Sequence, residues 1–255
     1  GNSLFCDKRT NSTHRHLIYL HSPLKGNQLN NFTKLWWLEK IHLFEGLSDQ
    51  EMQKIEERST MKTKGKGTHI YFPNEPSKVI FFLKNGRVKI GSYSSDGKEI
   101  IKGIMHPGDM FGEMGLVGQD TRNDFAIAMD DDVRVCTMNV EEILEMMRGN
   151  AELSLKITAT IGNRLAKVER KFESLIFKDA RTRIVDLIKE MATDRGKTLA
   201  GGAILLEHSL THQDLGSLTA TSRQTVTTVL NELKELDLIN FDRKTILIHE
   251  MEKLK

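Results

Sequence analysis

The stretch from Val140 to Phe177 constrains this chain more than any other. It contains no proline and, beyond Gly149, a single glycine at Gly162. Within it Ile157, Ile161, Leu165, Val168, Phe172 and Leu175 follow one another at steps of 4, 4, 3, 4 and 3, so one stripe of a long helix is apolar. Arg164, Lys167, Glu169, Arg170 and Lys171 flank that stripe with charge. A narrow seam with charged borders is the pattern of two paired helices, and it predicts a homodimer joined through those six apolar residues. The plainer alternative is a helix packed on its own β-domain.

On the N-terminal side of this helix the texture is that of a β-domain. Ten of the 19 glycines lie between Gly65 and Gly118, and three of the four prolines between Pro73 and Pro107. Short strand-type runs sit between them: 69–72, 79–83, 87–90, 99–101 and 132–136. Asn85-Gly86 and Asp96-Gly97 are tight-turn dipeptides, because such turns need a positive φ that glycine adopts without strain. Many short strands at this spacing predict a β-barrel or sandwich over roughly 60–138. Residues 1–35 are polar and aperiodic and read as an arm.

On the C-terminal side the pattern is short helices followed by a β-ribbon. Thr211 begins a helix, with Asp214 three residues on completing an acidic variant of the capping box. Ala220-Thr221 is a turn, and Ser222 is the next N-cap. In the second helix Val226, Val229, Leu230 and Leu233 share one face, while Arg223, Gln224, Thr227, Thr228 and Asn231 share the opposite one. That outer face has no carboxylate, and every member can hydrogen-bond. Two capped helices about a tight turn, followed by a hairpin around Asp242-Arg243-Lys244, predict a helix-turn-helix and its recognition helix. The candidate DNA-binding residues are Ser222, Arg223, Gln224, Thr227, Thr228, Thr211, Gln213 and Lys244.

Composition narrows the function class. A chain of 255 residues, 38% hydrophobic and 28% charged, suits two folded domains. No apolar run reaches the roughly 18–20 residues of a bilayer span, and the start lacks a signal pattern, so a cytoplasmic protein without a membrane partner is expected. Cys6 and Cys136 exclude a disulfide framework and a four-thiolate cluster. Cys6, His14, His16 and His21 have metal-ligating side chains, but their spacing fits no regular zinc module and no metal is expected. Cys136 falls in a strand run and is expected to be buried. Residues 177–255 hold 12 basic and 12 acidic residues, so DNA binding must rest on a local patch of Arg223, Arg243, Lys244 and helix N-termini. No G-x-S-x-G, metal-ligand helix or P-loop is present, and no enzyme is expected.

From about Leu43 to Ile248 the chain resembles the CRP/FNR family of bacterial transcription regulators. The resemblance lies in Phe44-Glu45-Gly46-Leu47, in Pro107-Gly108-Asp109-Met110-Phe111-Gly112-Glu113-Met114, and in Leu210 through Ile239. It implies an α+β chain: an arm (1–35), a cyclic-nucleotide-binding-like β-roll or jelly roll (36–148), a dimerisation helix (149–177) and a winged helix-turn-helix (178–255). It also implies a homodimer on two-fold symmetric double-stranded DNA, working with RNA polymerase.

The same resemblance implies an effector site at Gly112, Glu113, Met114, Arg122, Asn123, Val168 and Glu169, for a cyclic nucleotide or another small effector. Gly112-Glu113 matches the family's phosphate cassette and Arg122 lies near its arginine. Asn123-Asp124 follows where a serine or threonine is usual, and a carboxylate there repels an anion. Val168-Glu169 replaces the pair that contacts adenine. The other reading of Glu113 and Arg122 is an internal ion pair closing the roll. In the recognition helix Arg223 is retained and predicts a guanine contact, while Gln224, in place of the family's glutamate, favours adenine over cytosine. Thr228 stands where a second arginine is usual. The competing functions are an effector-gated regulator, a constitutive regulator with a degenerate roll, and a cyclic-nucleotide-binding module for a partner protein. The last leaves the segment from Thr211 to Leu236 unexplained.

Overall fold

The structure is a computed structural model that describes Leu38 and residues 41–254. The arm and its Cys6, His14, His16 and His21 lie outside the described residues. Helix α1 (Asp49–Arg58) opens with a capping box in which Ser48 and Glu51 satisfy each other's backbone N–H groups.

The roll follows as two antiparallel four-stranded sheets. One has the order β1 (Thr60–Lys64), β8 (Val133–Asn139), β3 (Val79–Asn85), β6 (Met110–Phe111). The other runs β2 (His69–Tyr71), β7 (Phe125–Ala128), β4 (Val88–Tyr93), β5 (Glu99–Met105). The two expected turn glycines, Gly86 and Gly97, have φ of 77° and 78°. Between the sheets lies a core of Tyr71, Phe81, Leu83, Val88, Ile90, Phe111, Val133 and Val135. The opposite face of the first sheet supplies Ile80, Phe82, Cys136 and Met138 to a second core shared with Phe44, Ile55 and Ile143. Cys136 is fully buried, as its place in the strand predicts.

Helix α2 (Val140–Gly149) breaks at Asn150, which caps the long α3 (Ala151–Phe177) by accepting from Leu153 N at 2.9 Å. The expected seam divides here. Leu153 and Ile157 are buried in the chain's own core and Ile161 packs against it, so Ile157 is taken up by the roll and is corrected out of a seam between copies. From Leu165 onward the stripe is bare: Leu165, Val168, Phe172 and Leu175 are 58%, 56%, 63% and 41% exposed. The same stripe is thus buried at its start and exposed from Leu165 onward.

The C-terminal domain begins with α4 (Ala180–Arg195), capped by Asp179, and the short pair β9 (Lys197–Thr198) and β10 (Ile204–Glu207). Then come α5 (His212–Thr219), α6 (Arg223–Glu235) and the ribbon β11 (Ile239–Phe241) and β12 (Thr245–Ile248), in a sheet ordered β11-β12-β10-β9. Its core joins Ile184 and Ile188 of α4 to Leu215, Val226, Leu230, Leu233, Ile246 and Ile248. The roll enters this core: Ile104 of β5 and Met129 beside β7 pack against it, and α5 lies along β5. Lys89 bonds Glu99 at 2.6 Å and lies 3.9 Å from Asp214 at the start of α5. Among the described residues no helix is long and apolar enough to cross a membrane.

Candidate nucleic-acid interface and effector pocket

The reading head forms for local reasons. Thr211 takes the Asp214 N–H at 3.1 Å, and the Asp214 carboxylate accepts from Thr211 N at 2.9 Å, so the box satisfies two orphan donors. At the other end of α5, Ala220 takes a left-handed φ of 52°, which turns the chain within one residue. Close packing there depends on Gly216, where a Cβ would stand 2.9 Å from Thr221 O. Ser222 then caps α6 through Thr225 N at 2.9 Å. Val226, Val229, Leu230 and Leu233 are buried, which turns Arg223, Gln224, Thr228 and Asn231 to the outside, all exposed.

Thr227 departs from the expected outer set. It is half-buried, its hydroxyl donates to Arg223 O at 3.0 Å, and it meets His212 Nδ1 at 2.8 Å. A hydroxyl held twice within the protein positions the helix and is not free to read a base. Gln213 is exposed and reaches Ser217 at 3.5 Å. Arg243 and Lys244 are exposed at the ribbon tip, where Asp242 accepts from Lys244 N and Thr245 N at 2.7 and 2.8 Å and its carboxyl is held below its ordinary range by those bonds. Nothing local in the sequence points to His212, because its partner Thr227 is fifteen residues away on another helix.

The second candidate site lies in a cleft of about 1540 Å³ between the roll, α3 and the C-terminal domain. Gly112, Glu113, Met114, Arg122, Asn123 and Val168 line it, and Glu169 does not. Gly112 has φ 75°, and a Cβ there would sit 2.8 Å from an Arg122 nitrogen, so only glycine fits. Glu113 is buried at the start of the following turn.

The alternative pairing of Glu113 with Arg122 does not form. Glu113 pairs with Arg164 of α3, whose Nη2 also donates to Met110 O at 2.7 Å. By sequence Arg164 is a charged flank of the seam, yet its guanidinium turns inward to a buried carboxylate and the carbonyl of Met110. Lys171, read the same way, donates to Ile101 O at 2.9 Å, and burial pulls its ammonium below the ordinary lysine range. Arg122 is only 5% exposed. Its guanidinium lies 4.0 Å above the Tyr71 ring and 5.3 Å from that of Phe81, and donates to Val79 O at 2.6 Å. Burial lowers the Arg122 pKa and raises that of Tyr71. The Asp124 carboxylate, expected to repel an anion, lies 3.4 Å from Lys102 Nζ. Two buried polar atoms, Ser77 Oγ and His208 Nε2, have no hydrogen-bond partner in this cleft's lining. Among the described residues no group of histidine, cysteine and carboxylate side chains is arranged to hold a metal.

Against known proteins, residues 62–150 match the cyclic nucleotide-binding domain and residues 182–255 the Crp-like helix-turn-helix domain. The CRP-like cAMP-activated global transcriptional regulator of Mycobacterium tuberculosis is 26% identical over 217 residues, 85% of this chain and 96% of its own. The global nitrogen regulator of Nostoc is 27% identical over 183 residues, 71% of this chain and 81% of its own. Among solved structures, a CooA mutant from Carboxydothermus hydrogenoformans superposes with a TM-score of 0.70 at 24% identity, covering 82% of this chain and 90% of that one. FixK2 from Bradyrhizobium japonicum gives 0.68 at 22%, covering 77% and 95%. The M. tuberculosis and Nostoc relatives are both named as regulators.

Proposed function

The chain belongs to the CRP/FNR family of DNA-binding transcription regulators, and from that premise we propose that it acts as a homodimer whose roll senses a small polar effector. The outer face of α6 carries the reading: Arg223, Gln224, Thr228 and Asn231 stand exposed on a helix whose other face is anchored in the core. A second copy supplies the two-fold symmetry, through the bare stripe Leu165, Val168, Phe172 and Leu175. Half-sites then lie about one helical turn apart. Arg223 takes guanine through O6 and N7, and Gln224 favours adenine. Ser222, Thr211 and Gln213 hold the DNA backbone at the helix starts, with Lys244 at the ribbon tip. RNA polymerase is the partner on the promoter, in the cytoplasm.

The effector enters the cleft at Glu113 and Arg164, and elsewhere in its lining Ser77 and His208 each leave a polar atom unsatisfied. The M. tuberculosis relative is named as cAMP-activated. In this chain a cyclic phosphate at Arg122 must first draw the guanidinium from between Tyr71 and Val79. That internal satisfaction of Arg122 favours a second reading, a constitutive regulator with a degenerate roll. Selection of binding sites from random duplexes tests the DNA reading: a two-fold symmetric site containing guanine is expected, and failure to enrich any sequence overturns it. Calorimetry against a panel of cyclic nucleotides and small organic anions separates the two readings of the roll, with heat favouring the sensor and its complete absence the scaffold.

A further inference from the structure

His212 stands where three elements of the C-terminal domain meet. It is the first residue of α5, its Nδ1 lies 2.8 Å from Thr227 Oγ1 of α6, and its ring lies 6.0 Å from that of Phe241 in β11. The protons of this small network can be assigned. Thr227 has one hydroxyl hydrogen and gives it to Arg223 O at 3.0 Å. The bond to His212 must therefore use a hydrogen on Nδ1, with Thr227 Oγ1 accepting. A neutral ring then keeps its lone pair on Nε2, and a proton added there leaves the Thr227 bond intact. Arg223 from α6 and His208 from the loop before α5 act on the ring electrostatically, Asp214 lies two residues on along α5, and Lys234 stands over the Phe241 ring at 5.8 Å. Burial and Arg223 hold the imidazole below its ordinary range in the free protein, so it is neutral at pH 7. A DNA backbone laid across the starts of α5 and α6 reverses that local field.

We propose that His212 is a positioning residue that fixes the recognition helix through Thr227 and makes DNA binding proton-linked, each DNA-bound subunit taking up a proton at His212 Nε2. This rests on the DNA-binding reading above. The histidine is poised for it, since binding costs no internal bond and removes the repulsion that Arg223 imposes on the charged ring. By linkage, affinity per subunit rises by up to about tenfold for each unit that pH falls between the bound and free ionisation ranges.

The test uses the full chain and a duplex recovered by selection from random sequence. Anisotropy titrations at pH 6 and pH 8, at constant salt, are paired with calorimetry in two buffers of different ionisation enthalpy, which counts protons directly. The native chain is expected to bind more tightly at pH 6 and to take up protons. His212→Asn keeps a donor for Thr227 but has no Nε2, and is expected to bind with flat pH dependence and no uptake. His208→Asn is expected to retain both. Uptake that persists in His212→Asn, or its disappearance in His208→Asn alone, overturns the proposal. So does a native chain that binds the duplex without proton exchange. A chain for which no duplex can be selected fails the DNA reading itself and the proposal with it.

Discussion

Arg223 and Arg164 illustrate how differently two arginines of one chain are used. Arg223 is exposed at the head of α6, and Arg223→Ala is expected to cost about 1–3 kcal/mol of DNA binding and to relax one base position, measured by anisotropy on duplexes varied at that base. Arg164 holds a buried carboxylate, so Arg164→Ala strands Glu113 and is expected to lower unfolding stability by about 1–3 kcal/mol in urea titrations. Recovery of part of that loss in the double variant with Glu113→Gln would place the cost in the unpaired charge. The outward placement of Arg223 was legible in the sequence, because a cap at Ser222 and four apolar residues at helical spacing fix which way it points. The inward turn of Arg164 was not. Glu113 is 51 residues from Arg164 in the chain, and nothing local says that a charged flank of a helix will turn inward. Arg122 was illegible for the same reason, since Tyr71, Phe81 and Val79 reach it from other strands.

At the level of elements, periodicity tells that a face is apolar and not what will cover it. Ile157 and Leu165 lie on one stripe, yet the roll buries the first and leaves the second bare. The exposed part of α3 makes a direct expectation. Phe172→Glu places a charge in the seam and should convert a dimer to monomers at micromolar concentration, read by analytical ultracentrifugation, with the unfolding midpoint of the roll little changed. An unchanged dimer would move the interface elsewhere. Elements defined by local chemistry were the ones the sequence disclosed: the turns at Gly86 and Gly97, the box at Thr211 and the cap at Ser222. Strands β1, β6, β7 and β9 escaped notice, because Thr60–Lys64 carries no strong apolar signal, Phe125–Ala128 is short, and Met110–Phe111 and Lys197–Thr198, the latter read as loop, are two residues each.

Across the whole molecule, the roll and the C-terminal domain meet at a histidine. His106 Nδ1 lies 2.8 Å from Arg195 Nη1, and burial first, then Arg195, pushes the imidazole down to about 4. An unfolded histidine titrates near 6.5, so as pH falls the unfolded chain takes the proton before the folded one. This contribution to stability is complete above about pH 6.5 and is lost between there and about pH 4. Thermal melts should therefore drop across that window, and by less in His106→Asn, which still offers Arg195 an acceptor. Equal drops in both proteins would remove His106 as the source.

Ile104 and Met129 are apolar side chains lent by one half of the molecule to the interior of the other. The halves are consequently not interchangeable parcels: severed after Phe177, the N-terminal fragment would carry an oily scar where its neighbour had been. Such a truncation would clump or bind hydrophobic dyes even with every strand of the roll correctly formed. Grafting this reading head onto a foreign sensor would likewise require copying the matching contour of β5.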